Sequence, residues 1–414
     1  MYIFFNWKLP NVISDDLNEL NSDLSKVSKV SKISKNNRKN AIKCNMKIED
    51  RPIAILNIDG GGIKGYVSAY ILLKIEERCG IPLNRLFDII GGVSSGSLSA
   101  FHAAYADPLT FDYYTEYSNI LENARKLFSK RSIFRLIRLG YMCDLDDSYA
   151  LSQKSTLYLS SLKNYFRPIH KNNKPHVSHC CAIALKHSSS GQWNNYVLRN
   201  YNLPENTDLT TITDGSSDWS IDKILLATCA APILFPCILH NNDKFIDGAV
   251  RSCSHVNLII DEAKVLWPKK DIGLILSIGF DYLSEYDSNT KINHLYWLYN
   301  LFSVINCAYF LHNEMLRYYV PQIKNSNNNV EPLYIRIQVP VTDINIYESN
   351  INVINKMKMQ VNDWISKNEA VFDELVSYFE KYGIIEEEEE EEEEKEQEQE
   401  QEHEEEQDND NKTN

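Results

Sequence analysis

Ser94 stands in Gly92-Val93-Ser94-Ser95-Gly96, the G-x-S-x-G spacing in which an apolar strand breaks into a sharp turn and then a helix. A missing Cβ on each side lets the backbone fold tightly enough to push the Ser94 hydroxyl out of the turn, which makes it a candidate nucleophile for acyl transfer. Taken alone, the five residues fit equally well a glycine-rich turn that carries a serine by chance. Upstream, Asp59-Gly60-Gly61-Gly62-Ile63-Lys64-Gly65 is a second small-residue loop. Acyl transfer creates a tetrahedral oxyanion, and backbone N–H groups from a loop without side chains can approach it closely, so Gly60, Gly61 and Gly62 are the expected donors. Gly60, Gly62 and Gly65 also meet the G-x-G-x-x-G dinucleotide spacing, a weaker reading because it leaves Ser94 without a role. Lys244-Phe245-Ile246-Asp247-Gly248-Ala249 ends a short strand in Asp-Gly, which locally reads either as a turn or as a carboxylate displayed at a strand end.

The elements that must position these groups follow from the apolar pattern. Ile53 to Ile58 is a β-type run feeding the glycine loop. Val67, Tyr70, Ile71 and Ile75 then fall at helical spacing, with Gly80 and Pro82 as stop signals. Phe87 to Ile90 is the next strand, so strand, glycine loop, helix, strand and elbow make a βαβ unit. Both small-residue loops then lie at the carboxyl ends of neighbouring parallel strands, where α/β sheets place their sites. Leu98, Phe101 and Tyr105 continue as a helix, ended by Asp107-Pro108. Residues 109 to 175 have a helical, aromatic and patchily basic texture. Within it, Phe128, Ile133, Phe134, Leu136, Ile137 and Leu139 form an apolar group among arginines, expected to be ordinary packing rather than a lipid entrance.

Further strands are expected at Val177 to Leu185, Trp193 to Arg199, Asp271 to Phe280 and Tyr334 to Val339. Helices are expected at Ser220 to Thr228, His294 to Phe310 and Ile351 to Phe379. His179 and His187 border a strand and read as structural or exposed.

The 414 residues, 43% hydrophobic and 11% aromatic, suffice for a full globular core. The net charge of -14 is misleading, because Glu386 to Asn414 holds 18 acidic residues against Lys395 and Lys412, leaving +2 for the remainder. A nearly neutral body gives no support to nucleic-acid binding. Nine cysteines without C-x-x-C or metal-like spacing fit a reducing compartment. The start, Met1 to Lys8, lacks a basic leader, and the longest apolar run, Ile224 to Leu239, is short and broken by Pro232 and Pro236, so a cytoplasmic protein is expected. Residues 1–50, with a Ser-Lys-Val/Ile repeat from Ser25 to Lys35, and the Glu/Gln-rich segment 386–414 are expected to be disordered, around a catalytic domain at 51–380. Tyr2, Ile3, Phe4, Phe5 and Trp7 offer a candidate membrane contact, without a coherent apolar face beyond residue 7.

Together the motifs resemble the patatin-like phospholipases. The family's D-G-G-G-x-R-G is matched by Asp59 to Gly65 with lysine at 64, and its G-T-S-T-G-G by Gly92 to Ser97, the last glycine replaced. Its A-T-S-A-A-P-x-x-F-P is matched by Ala227 to Pro236 with Cys229 for serine, and its D-G-G/A by Asp247-Gly248-Ala249. The four matches occur in the family's order over roughly residues 50 to 380.

The resemblance implies an α/β three-layer sandwich with a mostly parallel central sheet flanked by helices. It further implies a Ser-Asp dyad that cleaves fatty acyl esters of glycerolipids or phospholipids. Ser94 would attack the ester, Asp247 would take its proton, the Gly60, Gly61 and Gly62 amides would hold the oxyanion, and no metal or cofactor is implied. A carboxylate of ordinary pKa is a weak base, so most of the acceleration would fall to the oxyanion hole and positioning. Contact with a membrane surface would be transient.

Departures lie at Cys253-Ser254-His255, where the family has N-N-P, and at Ser277-Ile278-Gly279-Phe280-Asp281, where it has S-L-G-T-G. Lys64 keeps the family's charge without the guanidinium fork; it would either steady the loop or attract a lipid phosphate. Two alternatives stand beside the dyad: a Ser-His-acid triad using His255, His294 or His312, and a lipid-binding scaffold of the same fold without the chemistry.

Overall fold

Every residue of β1 (Ile53–Ile58) is buried, as expected of a strand covered on both faces. The computed structural model describes residues 51–105, 113–130, 132–143, 178–280, 308–328, 330–341 and 344–385. Residues 1–50, 144–177 and 386–414, and most of the helix expected over His294 to Phe310, lie outside them. β1 pairs in parallel with β2 (Ile89–Val93) on one edge and with β8 (Ile272–Phe280) on the other. Beyond β8 lies β9 (Leu333–Val339), also parallel; beyond β2 lie β3 (His179–His187), parallel, then β4 (Trp193–Arg199), antiparallel, and the two-residue β5 (Gly215–Ser216). The order is β5-β4-β3-β2-β1-β8-β9, and a hairpin of β6 (Ile238–His240) and β7 (Asp243–Asp247) joins through β3.

Side chains of a strand alternate between faces, and the two faces of β1 enter separate cores. Ala54, Leu56 and Ile58 pack with α1 (Gly65–Cys79), α2 (Ser95–Tyr105) and the C-terminal helices α9 (Ile351–Lys367) and α10 (Glu369–Lys381). Ile53 and Ile55 pack with Ile259, Ile260 and Ala263 of α6 (Val256–Leu266), and with Leu311 of α7 (Ala308–Glu314) and Ile323 of α8 (Val320–Ser326). The result is helix, sheet, helix. Between α2 and β3, α3 (Tyr113–Ser129) and α4 (Ile133–Leu139) are helical as expected. Among the described residues no helix is long and apolar enough to cross a membrane.

Two boundaries differ informatively from the sequence reading. The expected strand Phe87 to Ile90 starts at Ile89 and runs on through both glycines to Val93, because β1 and β3 supply its hydrogen bonds while Ile259 fills the space over Gly91. The long C-terminal helix is interrupted at Asn368, whose side-chain amide donates to the Trp364 carbonyl at 2.7 Å.

Candidate active site

β3 brings the two central residues together. Along one edge, Ile183 of β3 lies opposite Val93, the last residue of β2; the next residue, Ala184, lies opposite Asp247, the last residue of β7. β2 leaves the sheet at Ser94, and β7 arrives antiparallel in the space it vacates. Val93 and Asp247, far apart in the chain, thus lie opposite adjacent residues of β3, with Ser94 one residue beyond Val93.

The elbow is strained and held. Ser94 has φ 54, in the left-handed region that a side chain disfavours, at a cost on the order of 1 kcal/mol. Its N–H donates to Thr228 Oγ1 at 3.0 Å, and Thr228 in turn donates to the Ile183 carbonyl at 2.7 Å. The Ser94 carbonyl accepts from the Ser97 hydroxyl at 2.6 Å and from the Ser97 N–H at 3.0 Å. The spacing of the two glycines has a steric cause. A Cβ on Gly96 would come within 2.2 Å of the Ile58 carbonyl oxygen, and one on Gly92 within 2.6 Å of the Gly96 backbone, so the elbow closes onto the end of β1 only if both are bare.

Asp247 is buried, 2% exposed, while Ser94 retains 9%. The Asp247 carboxylate accepts the Ala249 N–H at 2.8 Å, and its own N–H donates to the Ala230 carbonyl at 3.1 Å. Burial raises its pKa to about 7, against the opposing effects of the Ala249 amide and of hydrogen bonding from Ser94. The weak base expected from sequence is therefore corrected: the carboxylate is poised near neutrality, a property of its burial that the strand-end motif does not carry. Cys229, in the family's serine position, lies beside both groups. Burial first, then the Asp247 charge, pushes its thiol well up, so it stays protonated and inert toward oxidation or metals.

The glycine loop is anchored from below. Asp59 and Arg336 form a buried ion pair, the two guanidinium nitrogens reaching the carboxylate at 2.5 and 3.2 Å; Arg336 also donates to Ser277 Oγ at 2.6 Å and to Gln338 Oε1 at 2.6 and 2.9 Å. Asn57 Nδ2 donates to Asp59, Ser254 and Ser277 at 3.0, 3.1 and 3.0 Å.

Of the three expected oxyanion donors, Gly60 N–H donates to the Cys253 carbonyl at 2.8 Å and Gly61 N–H to Ser95 Oγ at 3.0 Å. A swing of the Ser95 hydroxyl would free the second; the first is committed to a backbone carbonyl. Lys64 is buried with its ammonium 5.9 Å from the Phe280 ring centre, which fits loop support better than phosphate capture. Gly62 has φ +59, and a Cβ there would fall 2.1 Å from the Ile346 carbonyl oxygen. Gly62→Ala is therefore expected to unseat the loop and lower stability by about 2–3 kcal/mol, read from the denaturant midpoint; an unchanged midpoint would show that the loop is not locked in this conformation.

Neither described candidate histidine hydrogen bonds to Ser94 or Asp247. His255 Nε2 lies 3.3 Å from the Gly248 carbonyl, and burial lowers its pKa to about 4, so it is a neutral packing residue. His312 Nδ1 lies 3.1 Å from the Tyr334 hydroxyl, and His294 falls outside the described residues. His179 and His187 pack tilted or edge-on against aromatic neighbours at the ends of β3. Sequence reasoning missed Thr228, Asn57 and Arg336 as supports. Arg336 left a visible signal, a lone cation inside the apolar strand Leu333–Val339.

A mostly parallel sheet between helix layers, with a serine at a strand-to-helix elbow near a strand-end carboxylate, is the architecture of the patatin fold. Residues 56–256 match the family model "Patatin-like phospholipase". The chain is 26% identical over 273 residues to calcium-independent phospholipase A2-gamma of Oryctolagus cuniculus, covering 63% of this chain and 32% of that protein. It is 23% identical to patatin of Solanum tuberosum over 334 residues, covering 69% and 76% respectively. The chain thus spans about a third of the first of these relatives. VipD from Legionella pneumophila aligns over 76% of this chain and 67% of its own at 13% identity and a TM-score of 0.29, too distant to support an inference.

Proposed function

We propose that the chain is a lipid acyl hydrolase of the phospholipase A type, acting through Ser94 and Asp247. The observation that carries this reading is that Ser94 directly follows Val93, which lies opposite Ile183 of β3, while Asp247 lies opposite the adjacent Ala184, with burial raising the Asp247 pKa to about 7. Ser94 Oγ attacks the ester carbonyl carbon while its proton passes to Asp247. The oxyanion forms against the glycine loop, with Gly61 and Gly62 supplying amides and Gly60 fixing the loop through Cys253. As the tetrahedral intermediate collapses, the alcohol portion leaves as a lysolipid and takes the proton from Asp247. Water then attacks acyl-Ser94, giving its proton to Asp247; release of the fatty acid returns that proton to Ser94. The named activity of the phospholipase relatives supports a glycerolipid substrate. The seven described cysteines form no disulfide with one another, which supports a reducing, cytoplasmic setting with peripheral access to membranes.

Labelling of the purified chain by a fluorophosphonate probe, lost in Ser94→Ala, is the expected result. Fatty acids and lysolipids should appear from mixed lipids with wild type alone, by mass spectrometry. A folded chain that neither labels nor releases fatty acid would favour a lipid-binding scaffold instead.

A further inference from the structure

The apolar group at residues 128–139, expected from its sequence to be ordinary packing, divides in the structure. Phe128 is buried against Phe235, but Phe134, Ile137 and Leu139 on α4 are 80%, 79% and 51% exposed. The segment is fixed by polar contacts of its own: the Ser132 N–H donates to the Met142 carbonyl at 3.0 Å, Arg135 Nη1 reaches the same carbonyl at 3.3 Å, and Gly140 closes the helix in a left-handed cap. Apolar side chains kept outward on a helix held by other means mark a surface that meets a partner.

The charge around this face is as distinctive. From Asn123 to Cys143 the sequence has six Lys or Arg and no Asp or Glu; Glu122, just before it, pairs with Arg125 at 2.6 Å and lies 3.9 Å from Lys126, which leaves the segment a net cationic surface in a body that carries only +2 outside its acidic tail. Lys126, Lys130 and Arg138 are exposed. Large apolar tips on one short helix, beside Arg138 on the same helix and Lys126 and Lys130 at the end of α3 and the turn after it, match a phospholipid interface, with the tips entering the acyl boundary and the cations meeting phosphate. The location fits as well. Residues directly after α4 are tied to the segment that builds the site: Tyr141 bridges Ile233, the Met142 N–H donates to the Ile233 carbonyl at 2.8 Å, and the Cys143 N–H to the Leu234 carbonyl at 2.9 Å. A few residues upstream of Ile233 lie Cys229, beside Ser94, and Ala230, whose carbonyl holds the Asp247 backbone.

We propose that α4 is the membrane-docking element of this chain, with Phe134 and Ile137 inserting into an anionic phospholipid surface and Lys126, Lys130 and Arg138 contacting its phosphates. The proposal takes its purpose from the lipid-hydrolase reading but is tested apart from it, by binding in the Ser94→Ala background. The full chain is floated with vesicles of phosphatidylcholine alone and of phosphatidylcholine with phosphatidylserine. Binding is expected to favour the anionic vesicles and to weaken as salt is raised from about 50 to about 500 mM. Phe134→Ser/Ile137→Ser and, separately, Lys126→Gln/Arg138→Gln should each weaken it at least about tenfold. In the Ser94-intact chain both pairs should leave the melting temperature and turnover of a soluble short-chain ester unchanged.

Wild-type affinity in the Phe134/Ile137 variant, no preference for anionic vesicles, or no vesicle binding at all would overturn the proposal. So would a concentration-dependent dimer, seen by analytical ultracentrifugation and removed by the same pair without loss of vesicle binding, which would assign the face to a second copy. Vesicle binding without hydrolysis by the Ser94-intact chain would leave docking standing and fail the hydrolase reading; ester turnover without vesicle binding would do the reverse.

Discussion

Asp247→Asn is expected to lower ester turnover by about a thousandfold while making the protein more stable at about pH 8. Both effects have one cause. The carboxylate is buried on β7 against β3, and its pKa is raised to about 7 by that burial. As a base it must be ionised, so kcat/KM of the wild type should rise with pH and level off through an inflection near 7. Stability runs the other way. Because the folded pKa lies above the unfolded value, the contribution of this group to stability is fully present below the ordinary carboxylate range and is lost as pH rises through about 7. Above that pH the native state carries a buried charge that the unfolded chain would solvate.

Asparagine keeps the oxygen that accepts the Ala249 N–H and never ionises. Its advantage should be absent near about pH 3.5, open as pH rises, and reach on the order of 3 kcal/mol above about pH 8. Denaturant titrations of both proteins across that range would test it, with the kinetic profile alongside. A melting difference that does not vary with pH, or a flat kcat/KM between about pH 5 and about pH 8, would remove Asp247 from the role of base.

This residue also marks where sequence reading stops. The Ser94 elbow, the glycine loop and the Asp-Gly strand end were legible because bare glycines flank each of them, and close backbone approach has few other solutions. That β1 and β2 are parallel neighbours followed from the βαβ pattern. That β7 would enter the sheet antiparallel, on the edge of β3 left open where β2 bends away at Ser94, was not legible. It depends on pairing between distant segments and on no local periodicity. The raised pKa follows from that insertion, so it was hidden with it. The outward turn of Phe134 and Ile137 was hidden for a related reason: the spacing of apolar residues on a short helix gives a face, and only the fold says whether anything lies against it. Arg336 was visible as an anomaly, but its partner lies on the loop after β1, on the far side of β8 from β9.

Removal of Arg336 itself is the most damaging single change expected outside the elbow. Arg336→Met would leave Asp59 buried without its counter-ion, and breaking one side of such a pair costs about 3–5 kcal/mol. The loss is specific in form. Gly279 is bare where a Cβ would strike both the guanidinium and the carboxylate, so the site is shaped around this pair, and Asp59 opens the loop whose glycines face the elbow. Asp59→Asn together with Arg336→Met removes both charges and should recover a large part of the stability, with a coupling of at least about 2 kcal/mol in a double-mutant cycle.

Turnover should not recover with it. In the doubly substituted protein the Asp59→Asn amide has no guanidinium fork to grip it, and the loop would lose its register beneath Ser94. Arg336→Lys should fall between, keeping the charge but unable to reach Asp59, Ser277 and Gln338 at once. Additive losses of stability in the cycle would show that the two residues act independently. Full turnover in a folded Arg336→Met protein would show that the loop holds its place without the anchor.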